Sequence, residues 1–106
     1  MSSYKLTPIA RKGLRDTYQH VKRAFGIDVA ENVVHKLVEA FRSLAAVPGM
    51  GHPRVDLTLD TGVRFWSVGP TLIAYRQDCQ GIEILLVERS NRDWRTLIND
   101  LDLDLD

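Results

Sequence analysis

Five arginines and two tryptophans gather in the second half of the chain: Arg64, Arg76, Arg89, Arg92 and Arg95, with Trp66 and Trp94. A guanidinium stays charged, and its planar fork matches carboxylates and phosphates. An indole can stack on it. Such a set suits a protein interface or a stacked nucleotide. The plain alternative is a solvent-facing sheet rim with the tryptophans partly in the core, and residue types alone tilt slightly towards it. Around these cations the groups needed for proton transfer are scattered. His20, His35 and His52 are far apart and show no metal-ligand spacing. Cys79 lies in a turn without a nearby histidine to activate it. Glu83 and Glu88 have opposite strand parity, so they are expected on opposite sides of a sheet. Gly49-Met50-Gly51 lacks the Lys-Ser/Thr and the helix of a phosphate loop. No metal and no cofactor is expected, and no catalytic residue is assigned. The residues expected to bind a partner are Arg64, Arg89, Arg92, Trp94 and Arg95.

The arginines need elements to hold them. Three apolar runs, Val63–Val68, 72–76 and 82–89, are separated by Gly69-Pro70 and by Asp78-Cys79-Gln80-Gly81. Short runs punctuated in this way read as an antiparallel meander. The run 82–87 is apolar at both parities except at Glu83, which predicts a strand inside the sheet and covered on both faces. Ahead of the meander, Tyr4–Leu6 reads as a short first strand. Thr7-Pro8 then opens a helix, since Thr caps free N–H groups and Pro suits the first helical position.

Ala10, Leu14, Tyr18, Val21 and Phe25 form the inward stripe of this helix. Arg11, Lys12, Arg15, Lys22 and Arg23 face away as a solvated basic surface. Gly26 ends the helix and Asp28 is placed to cap the next one. That second helix carries Val29, Ala30, Val33, Val34, Leu37, Phe41, Leu44 and Ala45 on its apolar side and stops at Pro48-Gly49. So short a link makes the pair an αα-hairpin. Period-two spacing at Val55, Leu57 and Leu59 hints at extended structure in the connector. Asn91 is placed to cap a short helix over residues 92–101. The outcome is an α+β domain of order β-α-α-β-β-β: an antiparallel meander packed by a helical hairpin, plus a short C-terminal helix. Strand order stays open.

A chain of 106 residues makes one domain. The domain is expected over residues 1–101, with 102–106 as an acidic tail that frays. Lys+Arg and Asp+Glu are 14 each, so net charge gives no argument for nucleic acid or membrane binding. Residues 100–106 carry four Asp and no base, which leaves the rest mildly basic. The single cysteine and the absence of an apolar leader in MSSYKLTPIARKG point to the cytoplasm.

The order and spacing of several short motifs resemble the ParE/RelE superfamily of type II toxin–antitoxin toxins. The resemblance is carried by Leu6-Thr7-Pro8 with Ala10, and by Phe41-Arg42-Ser43-Leu44-Ala45 with Pro48 and Gly51. It continues through Arg54-Val55-Asp56-Leu57, Val63-Arg64-Phe65, Leu72-Ile73-Ala74-Tyr75-Arg76, Gly81-Ile82-Glu83-Ile84 and Arg92-Asp93. The resemblance implies one of two activities. RelE-like members cleave mRNA on the ribosome with strand-borne Lys and Arg and a late Tyr. ParE-like members lack that set and poison DNA gyrase by binding. Aligned on Tyr75, the positions of the RelE-like strand bases fall near Val63, Phe65 and Leu72, and the late Tyr falls near Ile98. Arg92 matches an arginine of the RelE-like set, and a one-residue register shift would bring in Arg64. The resemblance therefore implies the ParE-like branch, with a cognate antitoxin and DNA gyrase as partners and no sequence-specific nucleic acid binding. Whether the chain is an enzyme stays uncertain, leaning to no. The alternatives are a RelE-like mRNA interferase drawing on Arg64, Arg89, Arg92 and Arg95, and a non-toxic interaction domain.

Overall fold

The computed structural model describes residues 3–101. Strand β1 (Tyr4–Leu6) leads into helices α1 (Pro8–Phe25) and α2 (Ile27–Ala46) and a 3-10 turn (Pro48–Met50). Strands β2 (Val63–Val68), β3 (Thr71–Asp78) and β4 (Gly81–Arg89) follow, and helix α3 (Trp94–Asn99) closes the order. The β-α-α-β-β-β order is as expected. The sheet runs β1-β4-β3-β2, and the meander pairs antiparallel throughout. β1 joins beside β4 in parallel, which makes the sheet mixed. β4 is an inside strand with cover on both faces, as its two-parity apolar run predicts.

One face is packed by the hairpin. Leu37, Phe41, Leu44 and Ala45 of α2 meet Ile73, Tyr75, Ile82, Ile84 and Val87 of the sheet. Gly13 brings α1 against β4: a Cβ there would sit 2.1 Å from the Val87 carbonyl oxygen, so only glycine allows the approach. The other face is packed by α3. Val63, Phe65, Leu72, Ala74, Leu85 and Leu86 meet Trp94 and Ile98, with Leu57 and Leu101 at the margin. Thr7 joins three elements. Its Oγ1 accepts from the Ala10 N–H at 3.0 Å, capping α1, and donates to the Leu85 carbonyl at 2.9 Å.

Several expectations need correction. The α1 stripe does not stay inside to its end: Phe25 is 69% exposed, and Val29 in α2 is exposed as well. The buried residues of α1, Ala10 and Gly13, lie in its first half, so the hairpin leaves the sheet before its turn. Asp28 is not a cap, because α2 begins at Ile27 and places Asp28 in the first turn. The connector is not extended at Val55, Leu57 and Leu59. The Arg54 carbonyl accepts from both Leu57 and Thr58 N–H, which curls the segment into a turn. Its extended contact comes earlier, as a His52–Phe65 bridge.

Asn91 is not a cap either. The chain before α3 makes a tight turn closed by the Arg92 N–H on the Arg89 carbonyl, and Asp93 caps α3 through Thr96. Glu83 and Glu88 do not fall on opposite faces. β4 carries Leu85 as an extra residue, with Tyr75 paired to Ile84 and Ala74 to Leu86. This bulge resets the alternation, so Glu83 and Glu88 fall opposite Arg76 and Leu72, which share one parity of β3. The acidic tail at 102–106 lies outside the described residues.

Candidate functional site: an arginine rim at the α3 face

The rim is anchored by a buried phenol. Tyr75 sits in mid-sheet and reaches through the core to the chain leaving α2. Its hydroxyl donates to the Pro48 carbonyl at 2.7 Å and accepts from the Gly51 N–H at 2.9 Å. Burial pushes the phenol pKa above its ordinary value. A Cβ on Gly51 would lie 2.6 Å from this oxygen, so the contact demands glycine. Arg64 adds a third tie, donating from Nη1 to the Gly51 carbonyl at 2.8 Å. Half-buried and aimed at backbone, Arg64 holds the start of the connector.

From that anchor the connector passes along the β2 edge of the sheet and brings Arg54 beside α3. Arg54 grips Asp56 with two hydrogen bonds, of 2.7 and 3.3 Å. The guanidinium holds the Asp56 carboxyl below the usual carboxylate range. Arg95, on the first turn of α3, donates from Nε to the Asp56 carbonyl at 2.8 Å and clips helix to connector. Arg92, in the turn before α3, pairs with Glu88 at 3.1 Å. Arg54, Arg92 and Arg95 thus converge on one open hollow of about 390 Å³, floored by Leu57, Leu72 and Trp94.

Of the residues expected to bind a partner, Arg92, Trp94 and Arg95 line this hollow. Trp94 is buried to 3% exposure. It packs edge-on against Phe65 with ring centroids 6.0 Å apart and donates from Nε1 to the Arg89 carbonyl at 2.8 Å. Its indole anchors α3 from beneath the hollow. Arg89 lies apart, in a neighbouring hollow of about 350 Å³ that it shares with His20, Phe25, Pro70 and Arg92. There its guanidinium contacts the His20 ring. Arg76 pairs with Glu83 at 3.1 Å. Trp66 is half-buried against the hairpin-side core. Sequence reasoning missed Arg54 and Asp56 as site residues. The signal was present, an Arg and an Asp two residues apart ahead of an apolar residue, but connector residues carry no periodicity to aim them.

The carboxylates of the hollow are committed, Asp56 to Arg54 and Asp93 to the α3 cap. Among the described residues no His, Lys, Cys or Tyr lines it. Val63, Phe65 and Leu72 are buried beneath α3, whose Ile98 packs onto them. Guanidinium groups so placed can bind carboxylates or phosphates. Among the described residues no group of three or more His, Cys, Asp or Glu is arranged to hold a metal ion. None of the described helices is long and apolar enough to cross a membrane.

Comparison with known proteins places this geometry. A family model described as the ParE toxin of type II toxin–antitoxin systems matches residues 4–94. The curated protein Toxin ParE1 of Caulobacter vibrioides is 29% identical over 87 residues, which cover 82% of this chain and 88% of the relative. A solved structure described as a chromosomal ParDE toxin–antitoxin system from P. aeruginosa superposes with a TM-score of 0.70. It is 28% identical and covers 84% of this chain and 96% of that one. A RelBE2 toxin–antitoxin complex from Mycobacterium tuberculosis shares the fold, with a TM-score of 0.58 at 22% identity over 87% of this chain and 92% of its own.

Proposed function

The chain belongs to the ParE toxin family of type II toxin–antitoxin systems, and on that footing we propose that it acts in the cytoplasm by binding and poisoning DNA gyrase, held in check by a cognate antitoxin. The observation that carries this reading is the filling of the α3 face. Where a RelE-like nuclease of this fold would present strand-borne cations, Val63, Phe65 and Leu72 turn into the core under Trp94 and Ile98. What is left at the surface is Arg54, Arg92 and Arg95 around an open hollow, a set suited to gripping a protein partner. An antitoxin partner is supported by the two solved relatives, whose descriptions are of toxin–antitoxin assemblies.

The deciding experiment is a supercoiling reaction with purified gyrase. Blocked supercoiling with accumulating cleavage complexes is the expected result. Normal supercoiling without such complexes overturns the gyrase reading. Ribosome-dependent mRNA cleavage in a reconstituted translation reaction would replace it with the nuclease reading. Loss of that cleavage in an Arg64→Ala/Arg92→Ala variant would then assign the residues.

A further inference from the structure

The two hairpin helices differ in the charge they carry. α1 has Arg11, Lys12, Arg15, Lys22 and Arg23 against a single acid, Asp16. α2 has Lys36 and Arg42 against Asp28, Glu31 and Glu39. All five α1 cations are exposed. At 3.6 residues per turn they fall within an arc of about 120°, on the side away from the buried Ala10 and Gly13. Little of this charge is spent. Lys12 pairs with Asp16 at 2.8 Å, and Lys22 lies over the Tyr18 ring at 5.9 Å from its centroid. Arg23 donates from Nε to the Gln19 carbonyl at 3.5 Å, which leaves its terminal amino groups unspent. Among the described residues the Arg11 and Arg15 side chains make no hydrogen bond or ion pair.

What this face lacks narrows what it can bind. Between Arg11 and Arg23 the one other residue on the arc is Gln19, so no apolar side chain stands among the cations. A protein interface is centred on apolar or aromatic anchors, and a helix lying on a membrane buries an apolar face. A single strand needs rings to stack on, and Tyr18 is half-buried with Lys22 over it. Duplex phosphates need only a row of cations. Arg11 to Lys22 spans roughly 16 Å of helix, at about 1.5 Å per residue. Over that length a DNA duplex presents about ten phosphates. A helix fits the B-form major groove with its cations on the flanking phosphates, whereas the A-form major groove is too narrow. We propose that the outer face of α1 binds duplex DNA through its phosphate backbone, without sequence preference. The arginine rim lies on the α3 side of the sheet and α1 on the other, so the chain can hold DNA and a protein partner at once. The proposal does not depend on gyrase being the target.

The test is fluorescence anisotropy of the purified full chain with two labelled DNA duplexes of unrelated sequence, between about 50 and 200 mM salt. Both duplexes should bind alike, and log K should fall against log salt with a slope of about −3 to −4, as for four cations displacing counterions. Arg11→Gln/Arg15→Gln/Lys22→Gln should flatten that slope by about 2 to 3 and weaken binding at least about tenfold at the lower salt. Gln is a good helix former, so an unaltered circular dichroism spectrum ties the loss to charge. Each single change should take off about 1, so the series stands even where the triple variant does not fold. Lys36→Gln/Arg42→Gln on α2 should leave the slope unchanged. No binding at the lower salt, or a slope that the α1 variants do not alter, overturns the proposal. Tighter binding of an RNA duplex, polyglutamate or phosphatidylserine vesicles than of DNA also overturns it and assigns the face to that class. A chain that binds DNA in this way yet leaves supercoiling by gyrase normal keeps this proposal and loses the gyrase reading.

Discussion

The two faces of the sheet are held by different means. The hairpin face lies under two helices of 18 and 20 residues, and its contacts are large, buried and apolar. The α3 face lies under a helix of six residues and a connector. That cover is fastened by a few directed bonds: Arg95 to the Asp56 carbonyl, Trp94 to the Arg89 carbonyl, and the His52–Phe65 bridge. The first arrangement spreads its stabilisation over many side chains. The second concentrates it in a handful, and local opening concentrates where few contacts hold. The arginine rim belongs to the second. The surface proposed to bind a partner is thus mounted on the more sparsely fastened side of the sheet.

That contrast can be broken or sharpened by substitution. Phe41→Ala empties the hairpin-side core and is expected to cost about 3–5 kcal/mol, seen as global loss of stability in denaturant. Trp94→Ala should cost less and act locally. Amide exchange should rise in α3 and the connector while α2 and β4 keep their protection. If Trp94→Ala unfolds the whole domain as Phe41→Ala does, the two faces are one cooperative unit. Tyr75→Phe strands the Gly51 N–H and the Pro48 carbonyl, a loss of roughly 1–3 kcal/mol read from the denaturation midpoint. Asp93→Ala removes the α3 cap for about 1 kcal/mol, with faster exchange at Thr96 as its signature.

The smallest effect expected is one of pH. Asp56 has its folded pKa depressed below 3.8 by Arg54. Its contribution is therefore present above the unfolded value and is lost as pH falls through the folded one. Below pH 3.8 the Leu57 and Thr58 amides should exchange faster, and Asp56→Asn should abolish that dependence.

Much of this was legible in the chain because apolar periodicity encodes cover. The stripe Leu37-Phe41-Leu44 announced α2, and the two-sided run around Ile84 announced an inside strand. The bulge was not legible, because consecutive Leu85 and Leu86 look the same whether the ladder is regular or carries an extra residue. The exposure of Phe25 was hidden for a related reason: a stripe shows which side of a helix is apolar but not where the sheet beneath it stops. At the candidate site the arginines were visible as a group, yet their division was not. Arg64 is spent on the Gly51 carbonyl and Arg89 on the hairpin side. Arg54 joins Arg92 and Arg95 only because a turn aims it there. Trp94 could be read as core or contact from its type, and only its burial decides.

Thr7 bears on the order of events during folding. Its bond to the Leu85 carbonyl spans 78 positions of sequence, and the β1–β4 pairing beside it is equally distant. Closing so long a loop carries a large entropic cost, so local pairs such as the β2–β3 and β3–β4 hairpins and α1 with α2 form ahead of it. Thr7→Val should accordingly speed unfolding and leave the refolding rate nearly unchanged. On the ribosome, β1 is made first yet gains its neighbour only after residues 82–84 have emerged, so the sheet is completed at almost the same moment as the rim that would engage a partner.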